Sequence, residues 1–440
     1  MADNTILPGT GETYAAKEIG GGIKYQKVLT EPMDGRSLGA FGRRRICEPV
    51  TLFASKMLSS DKQPLFWDEA LESGSGITST TPTQYKPYID FVSTDSTAGV
   101  FTRQTFRRFD YQPGKSQLVL ITGVLELSGE TKTGCERRIG YFDDDNGLFF
   151  ASNAGEIGVT IRTSDSGSAV DTVIYQSSWN IDKLDGSETE ENPSKINADW
   201  SKGQIFVFDF QWLSLGRVRF GVEIDGIIYY VHESGQANNS QIPWCSNPNL
   251  PIRYQMVTTA SSGVCSMRVI CSAVISEGGT ESVGVLHRES TAGASVETAV
   301  EGTLYAVVGI RLKSDRLSTT VEIVSGALQV QSSGEYVEWV ILFNPSVSGT
   351  FTYSDLDNSD CQTALGATVN TVTGGTEIGG GYSESSGGNG AGGSDAASIS
   401  DELKLGAAID GTRDQIVLCV RGIGGSSSAT VEGGIAWKEL

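Results

Sequence analysis

The stretch IFVFDFQWLSLGRVRFGVEIDGIIYYVHE, residues 205–233, decides how the rest of the chain reads. Its apolar residues recur at every second position, the period of a strand and not of a helix. Asp225-Gly226 separates two such runs. A pair of this kind predicts a hairpin, because a type I′ turn needs positive φ at both central positions. That turn sets Ile224 opposite Ile227, so Val218, Phe220, Val222 and Ile224 share a face with Ile227, Tyr229 and Val231. Phe206, Phe208, Phe210 and Trp212 of the preceding run offer a matching face. Together they predict a core of aromatic and branched aliphatic side chains, each worth roughly 1.5–3 kcal/mol when fully buried.

The opposite face then carries Arg217, Arg219, Glu223, Tyr230 and His232, joined by Asp209 and Gln211. The expected register places His232 across from Arg219 and Tyr230 across from Gly221. A polar, partly aromatic sheet face can bind sugars, since rings stack on sugar faces while carboxylates and amides bond hydroxyls. Such a face also serves as a solvated surface or a subunit contact. Arg219, Glu223, Tyr230 and His232 are the glycan-binding candidates, with the loop tips near Trp244 and residues 374–394 as further ones.

Outward from this stretch the pattern repeats. SQLVLITGVLEL, RRIGYFDDDNGLFFAS, EIGVTIRTS and DTVIYQSSW precede it, and LPIRYQMVTT and VCSMRVICSAVIS follow. Strands recur between turn signals without an amphipathic helix, which predicts an antiparallel, jelly-roll-like β-sandwich over residues 46–280. Within it, ICEPVTLFASKMLSS suits a strand or a short helix, and DKLDGSETEENPSKINADW a long surface loop. A second β block, residues 281–440, contains TLYAVVGIRLK, TTVEIVSGALQV, EYVEWVILFN, GTFTYSD, DQIVLCVRGI and ATVEGGIAWKEL. Its segment 374–394 is so rich in Gly and Ser that it reads as a loop. Residues 1–45 hold little that could make a core, with one short strand in EIGGGIKYQKVLT, and read as an extended arm ordered against something else. The fold class is therefore all-β: arm, sandwich, second sandwich.

Composition narrows function. Of 440 residues 54 are Gly, and 53 Asp and Glu outnumber 33 Lys and Arg for a formal charge of −20. That excess excludes a surface built for nucleic acid, and the short run Arg43-Arg44-Arg45 does not reverse it. MADNTILPGTGE has no apolar stretch behind a basic one, and no window reaches about 18 apolar residues, so neither signal peptide nor membrane insertion is expected. Seven cysteines (Cys47, Cys135, Cys245, Cys265, Cys271, Cys361 and Cys419) are scattered without a CxxC spacing. Cys265 and Cys271 would lie about 20 Å apart if extended. Neither a disulfide framework nor a metal site is expected, and the pattern fits assembly in a reducing cytoplasm.

No enzyme is legible. Asp209 and Glu223 share an expected face, but glycoside hydrolysis needs two carboxyls at a defined separation. A Ser-His-Asp system would have to use His232 or His287, and neither VHES nor LHRE offers a nucleophile elbow. DDDNGLFF (143–150) matches a calcium loop for four residues and then lacks the downstream ligands, so a hairpin at Asn146-Gly147 explains it better. No cofactor motif is present: GTGETYAAKEIGGG holds no phosphate-loop lysine-threonine pair and does not sit between strand and helix.

Three segments carry a resemblance. ADNTILPGTGETYAAKEIGGGIKYQKV…DG resembles a short segment at the head of many tailed-phage virion proteins, in which roughly Asp3 to Asp34 would be the attachment arm. RRIGYFDDDNGLFFAS…DWSKGQIFVFDFQWLSLGRVRFGVEIDGIIYYVHE…NPNLPIRYQM resembles a widespread phage structural module related to lectin-like jelly rolls. KLGAAIDGTRDQIVLCVR…VEGGIAWKEL is similar to a recurrent terminal module of such proteins. The resemblance implies a virion structural protein assembled in the host cytoplasm, attached to other virion proteins through its arm. Leu7, Pro8, Gly9, Gly11, Ile19, Gly20, Gly21 and Tyr25 match the attachment pattern, while Lys17-Glu18 and Gly22 depart from it. A homo-oligomer is expected with it, trimers being common among fibres, and contact with a host surface glycan through the Tyr230/His232 face or the loop tips is a compatible second role. A tail-associated fibre or baseplate protein is the first reading, a capsid-attached head fibre or decoration protein the second, and a surface glycan hydrolase the third. No catalytic residues come with the family.

Overall fold

The computed structural model describes strands at residues 4–6, 13–18 and 24–26, and then residues 49–440 apart from 59–60, 94–96, 128, 130–132, 261–262, 282, 386–402 and 426–427. The described chain is nearly all β, and its helical content is one 3₁₀ turn, Gln176–Ser178.

Three short strands open it: β1 (Asn4–Ile6), β2 (Thr13–Glu18) and β3 (Lys24–Gln26). They pair antiparallel as β1-β2-β3, a small sheet that shares no strand with the other four. The arm thus holds three strands where one was expected.

The first sandwich begins with β4 (Pro49–Ser55), β5 (Trp67–Gly74), β6 (Ile77–Ser79), β7 (Ile89–Ser93), β8 (Gly99–Thr105) and β9 (Ser116–Val124). Of the stretch 46–60, Pro49–Ser55 is a strand, and the other described residues add no helix. A meander follows: β10 (Cys135–Phe142), β11 (Gly147–Asn153), β12 (Glu156–Thr163) and β13 (Val170–Tyr175). The opening stretch forms β14 (Gln204–Phe210), β15 (Arg217–Ile224) and β16 (Ile227–Gly235), and β17 (Ile252–Thr258) and β18 (Cys265–Glu277) complete the unit. One sheet runs β13-β12-β11-β10-β17-β8-β5; the other runs β16-β15-β14-β9-β18-β7-β6, with β4 also on β18.

Between them lies the expected core. Phe206, Phe208, Phe210, Val218, Phe220 and Val222 are all fully buried. From the facing sheet, the Phe150 ring sits 5.0 Å from Phe206, 5.7 Å from Phe208 and 5.9 Å from Phe220. The hairpin is also as read: Ile224 faces Ile227, with φ of +54° at Asp225 and +79° at Gly226.

One register expectation fails. Gly221 pairs with Tyr230, as predicted, but Phe220 pairs with His232, so Val231 is the extra residue of a β-bulge. His232 stands across from Phe220, and it is Glu233 that faces Arg219. The bulge leaves Val231 in the core.

The second sandwich comprises β19 (Val285–Ser290), β20 (Val296–Glu297), β21 (Leu304–Leu312), β22 (Val321–Val330), β23 (Tyr336–Phe343) and β24 (Ser346–Val347). Then come β25 (Ser354–Asp355), β26 (Cys361–Leu365), β27 (Thr371–Thr373), β28 (Thr376–Glu384), β29 (Gln415–Ile423) and β30 (Thr430–Glu439). β30 gathers β19, β20 and β22 into a four-stranded sheet that packs on an eight-stranded one around Trp339 and Trp437. GTFTYSD is mostly irregular, contributing only Ser354–Asp355.

The segment read as a Gly/Ser loop is corrected in its first half. Thr376–Glu384 is an edge strand on β23, while residues 386–394 lie outside the described residues. Its glycines serve close packing: a Cβ at Gly380 would lie 2.7 Å from Trp339 O, and one at Gly381 3.0 Å from the Trp339 ring.

The sandwiches meet along residues 403–409. Ala407 N–H donates to Phe106 O (3.2 Å), and Ile409 N–H to Asp68 Oδ2 (2.8 Å). A Cβ on Gly406 would fall 2.1 Å from Phe106 O, so only glycine permits this approach. Phe53, Leu65, Phe66, Phe106 and Leu403 line an apolar crevice beside it.

Asp414 holds the same segment, accepting from Gly406 N–H (3.0 Å) and Asn344 Nδ2 (2.6 Å). Burial pushes its carboxyl up to about 6; the two donors oppose the rise and the Asp68 charge adds to it. Because the folded value exceeds the ordinary 3.8, this group's stabilisation is complete below that value and is lost as pH rises through about 6. Denaturant unfolding from pH 4 to pH 7 should therefore show the wild type losing on the order of 2–3 kcal/mol relative to Asp414→Asn. Parallel pH curves for the two proteins would contradict this account.

Candidate functional site

The face proposed from the opening stretch is closed on itself. Asp209, fully buried on β14, is ion-paired with Arg219 Nη2 and accepts from Tyr230 Oη at 2.6 Å. The Arg219 guanidinium lies 4.1 Å from the centre of the Tyr230 ring. Register explains the meeting: Asp209 pairs with Arg219 on β15, and Tyr230 sits diagonally beyond on β16. Both candidates are thus engaged internally.

Glu223 and His232 are half-buried at their strand positions. His232 Nδ1 has no hydrogen-bond partner, and burial lowers the imidazole pKa against the pull of Glu233. The structure does not assemble Arg219, Glu223, Tyr230 and His232 into one open surface. Asp209 and Glu223 are no carboxylate pair either: Glu223 pairs with Ile205, four residues along β14, or about 13 Å at strand rise, beyond the separations glycosidases use.

Of the attachment residues, Leu7, Pro8, Gly9, Gly11, Ile19, Gly20 and Gly21 lie outside the described residues, as does the Arg43-Arg44-Arg45 run. Tyr25 is in β3, paired with Lys17. Trp244 is no loop tip: it is buried, its ring 5.6 Å from Phe210.

A different surface is better built. On the outward face of the seven-stranded sheet, one row crosses β8, β17, β10, β11, β12 and β13 as Thr102, Gln255, Arg138, Ala151, Gly158 and Tyr175. Hydrogen bonds join its polar half. Gln255 Nε2 donates to Thr102 Oγ1 (3.0 Å) and to Glu72 Oε1 (3.3 Å), and Arg138 Nη1 donates to Gln255 Oε1 (2.8 Å). Glu136 clamps Arg138 through two bonds, 2.8 and 2.9 Å.

Beside this row lies a buried aromatic pair, Phe142 and Phe149, ring centres 4.6 Å apart. Guanidinium groups approach the rings: Arg138 at 5.6 Å and Arg162 at 5.3 Å from Phe149, and Arg253 at 5.5 Å from Phe142. Arg162 is held by Asp171 and Arg253 by Asp144. Cationic groups over ring faces are favourable, and their stems shield the rings from water. At the far end of the row Tyr175 keeps 41% of its surface exposed, and only the small Ala151 and Gly158 separate it from Arg138.

Sequence reading passed over this row. Its outward residues alternate in CERRIGYF and IRYQMVT, which is visible, but each strand alone looks like an ordinary solvated face. Only pairing between residues as distant as Arg138 and Gln255 makes a surface of them.

The acidic hairpin 143–146 is held by its own turn and by arginines. Asp143 Oδ1 accepts from the N–H groups of Asp145 and Asn146, and Asp143 and Asp144 pair with Arg108 and Arg253. No cluster of three metal-binding side chains occurs among the described residues. His287 Nε2 is 3.5 Å from Glu439 Oε2, and Ser359 Oγ donates to the same carboxylate at 2.5 Å and not to the imidazole. The carboxylate, not the histidine, is the hub of that cluster.

No family model matches the chain, and no curated protein matches it. Solved structures similar to it include an endo-1,3-beta-glucanase from Streptomyces sioyaensis, 13% identical with a TM-score of 0.34, covering 52% of this chain and 97% of that one. A legume lectin-like domain from Entamoeba histolytica is 10% identical with a TM-score of 0.29, over 51% of this chain and 97% of that one. The binding domain of Botulinum Neurotoxin serotype G is 10% identical with a TM-score of 0.31, over 87% and 81%. At TM-scores this low the likeness carries no inference about this chain.

The Asp209 cluster makes Tyr230 a structural residue. Tyr230→Phe removes the hydroxyl from a buried carboxylate and should cost about 1.5–3 kcal/mol, read as a lower denaturant midpoint with an unchanged slope. An unaltered midpoint would show that the hydroxyl contributes nothing to the fold.

Proposed function

We propose that this chain is a structural component of a tailed-phage virion, most simply a tail-associated fibre or baseplate protein, anchored through residues 1–45. One observation carries the reading: strands β1–β3 form a ladder that joins neither sandwich. Strands of three, six and three residues are too few to stand alone without a surface to pack on. The resemblance of roughly residues 3–34 to virion attachment segments supplies the kind of surface, another virion protein. Two acidic sandwiches joined along a glycine-dependent seam suit a solvent-facing wall, and in this reading the chain acts as a scaffold and not as an enzyme. A homo-oligomer follows from the same resemblance.

Particles assembled with a variant lacking residues 1–45 should contain none of it, although the variant stays soluble and β-rich by circular dichroism. Normal incorporation of the variant would end this reading.

The row on the seven-stranded sheet supports a second role, contact with a host glycan. Arg138 offers donors and Tyr175 an open ring, three strands apart, or about 14 Å. The residues between them in the row, Ala151 and Gly158, are small. On a glycan array the intact protein should give a signal that Tyr175→Ala lowers at least tenfold without changing the melting temperature. An unaffected signal would remove the glycan role from this row and leave the scaffold reading intact.

A further inference from the structure

We propose that Cys135 and Cys265 form a disulfide that clips the two sheets of the first sandwich together. Cys135 opens β10 in the seven-stranded sheet, and Cys265 opens β18 in the eight-stranded one. Both are buried in the same core. Their sulfurs lie 2.7 Å apart. Non-bonded heavy atoms settle at about 3.5–4.0 Å, carbon included, and sulfur is larger than carbon. Two thiols held so close repel; a covalent bond relieves the conflict.

The surroundings favour the approach. Facing sheets usually stand about 10 Å apart, too far for two cysteine side chains to meet. Here β10 and β18 converge, and a second tie marks the point: Arg137 Nε donates to Ser266 O at 2.9 Å, each residue close beside its cysteine. Both cysteines also sit at strand starts, on one rim of the sandwich, where Thr259 N–H bonds Gly134 O. Strand ends open locally more readily than strand centres, which gives a small oxidant access.

The chemistry needs an external oxidant, and a low-molecular-weight disulfide suffices. One thiolate attacks the reagent disulfide and releases one thiol. The second protein thiolate then displaces the other half, forming the Cys135–Cys265 bond. The protein loses two electrons and two protons, and the reagent becomes two thiols. The link would join residues 130 apart, a long loop whose closure restricts the unfolded chain. A protein made reduced in a cytoplasm would gain this clip on reaching an oxidising exterior.

The test uses the full-length protein incubated with oxidised glutathione, then alkylated in denaturant and digested with trypsin. We expect two fewer alkylated sites than the seven of the reduced chain, and peptide 133–137 joined to peptide 254–268. The oxidised protein should melt several degrees above the reduced one, and Cys265→Ala should lack both the joined peptides and the oxidant-dependent rise. If that variant does not fold, Cys135→Val provides the same comparison. Seven alkylated sites after oxidation, a link between other cysteines, or glutathione held on both sulfurs would each overturn the proposal.

Discussion

Burial of one aromatic layer between the seven- and eight-stranded sheets is the constraint from which the first sandwich follows. Phe150 of one sheet meets Phe206, Phe208 and Phe220 of the other within 6 Å. A residue that slipped by one place would exchange its apolar and polar faces throughout the strand, so this layer dictates register. It also dictates the departure from ideal pairing at Val231. A bulge costs a ladder position, but it leaves Val231 buried in the core and sets Glu233 opposite Arg219 on the outer face.

Once the inner faces are spent on the core, the outer faces must satisfy their own polar groups. Asp209, Arg219 and Tyr230 do so as a closed set, and Arg138, Gln255, Thr102 and Glu72 as a chain of bonds across four strands. A comparable arrangement plugs the sandwich edge. Arg103, buried and 4.6 Å from the centre of the Trp67 ring, donates to Glu69 at 2.6 Å, and Lys62 and Ser79 bond the same carboxylate. Burial alone would raise the Glu69 pKa, yet these neighbours bring it below the ordinary value. Removing one partner from such a set leaves a buried charge uncompensated, so each acts as a unit. The difference between a closed set and a chain with an open end is what separates structure from surface here. The Asp209 set has no side turned to solvent, whereas the Arg138 row ends on a half-exposed tyrosine.

Glycine carries the long-range geometry of the second sandwich and its junction. Gly406 allows a backbone approach that any Cβ would block, and Gly380 and Gly381 let an edge strand lie against Trp339. In composition these glycines look like loop, because the feature that demands them is a neighbour distant in the chain. A run of glycines is therefore ambiguous between freedom and contact until the packing partner is known.

The chain's own text determined the alternating strands, the Asp225-Gly226 turn, the inner face of the opening hairpin and the all-β class. All of these rest on local rules: a two-residue period, a turn that needs positive φ, and apolar side chains that leave water. What only the tertiary structure decided is the set of relations between distant residues. These are the bulge that moved His232 off Arg219, the engagement of Tyr230 by Asp209, the row from Thr102 to Tyr175, and the meeting of Cys135 with Cys265. Each depends on which strands become neighbours and how closely two sheets approach. No local pattern records those distances, since a strand shows the same alternation whatever lies beside it.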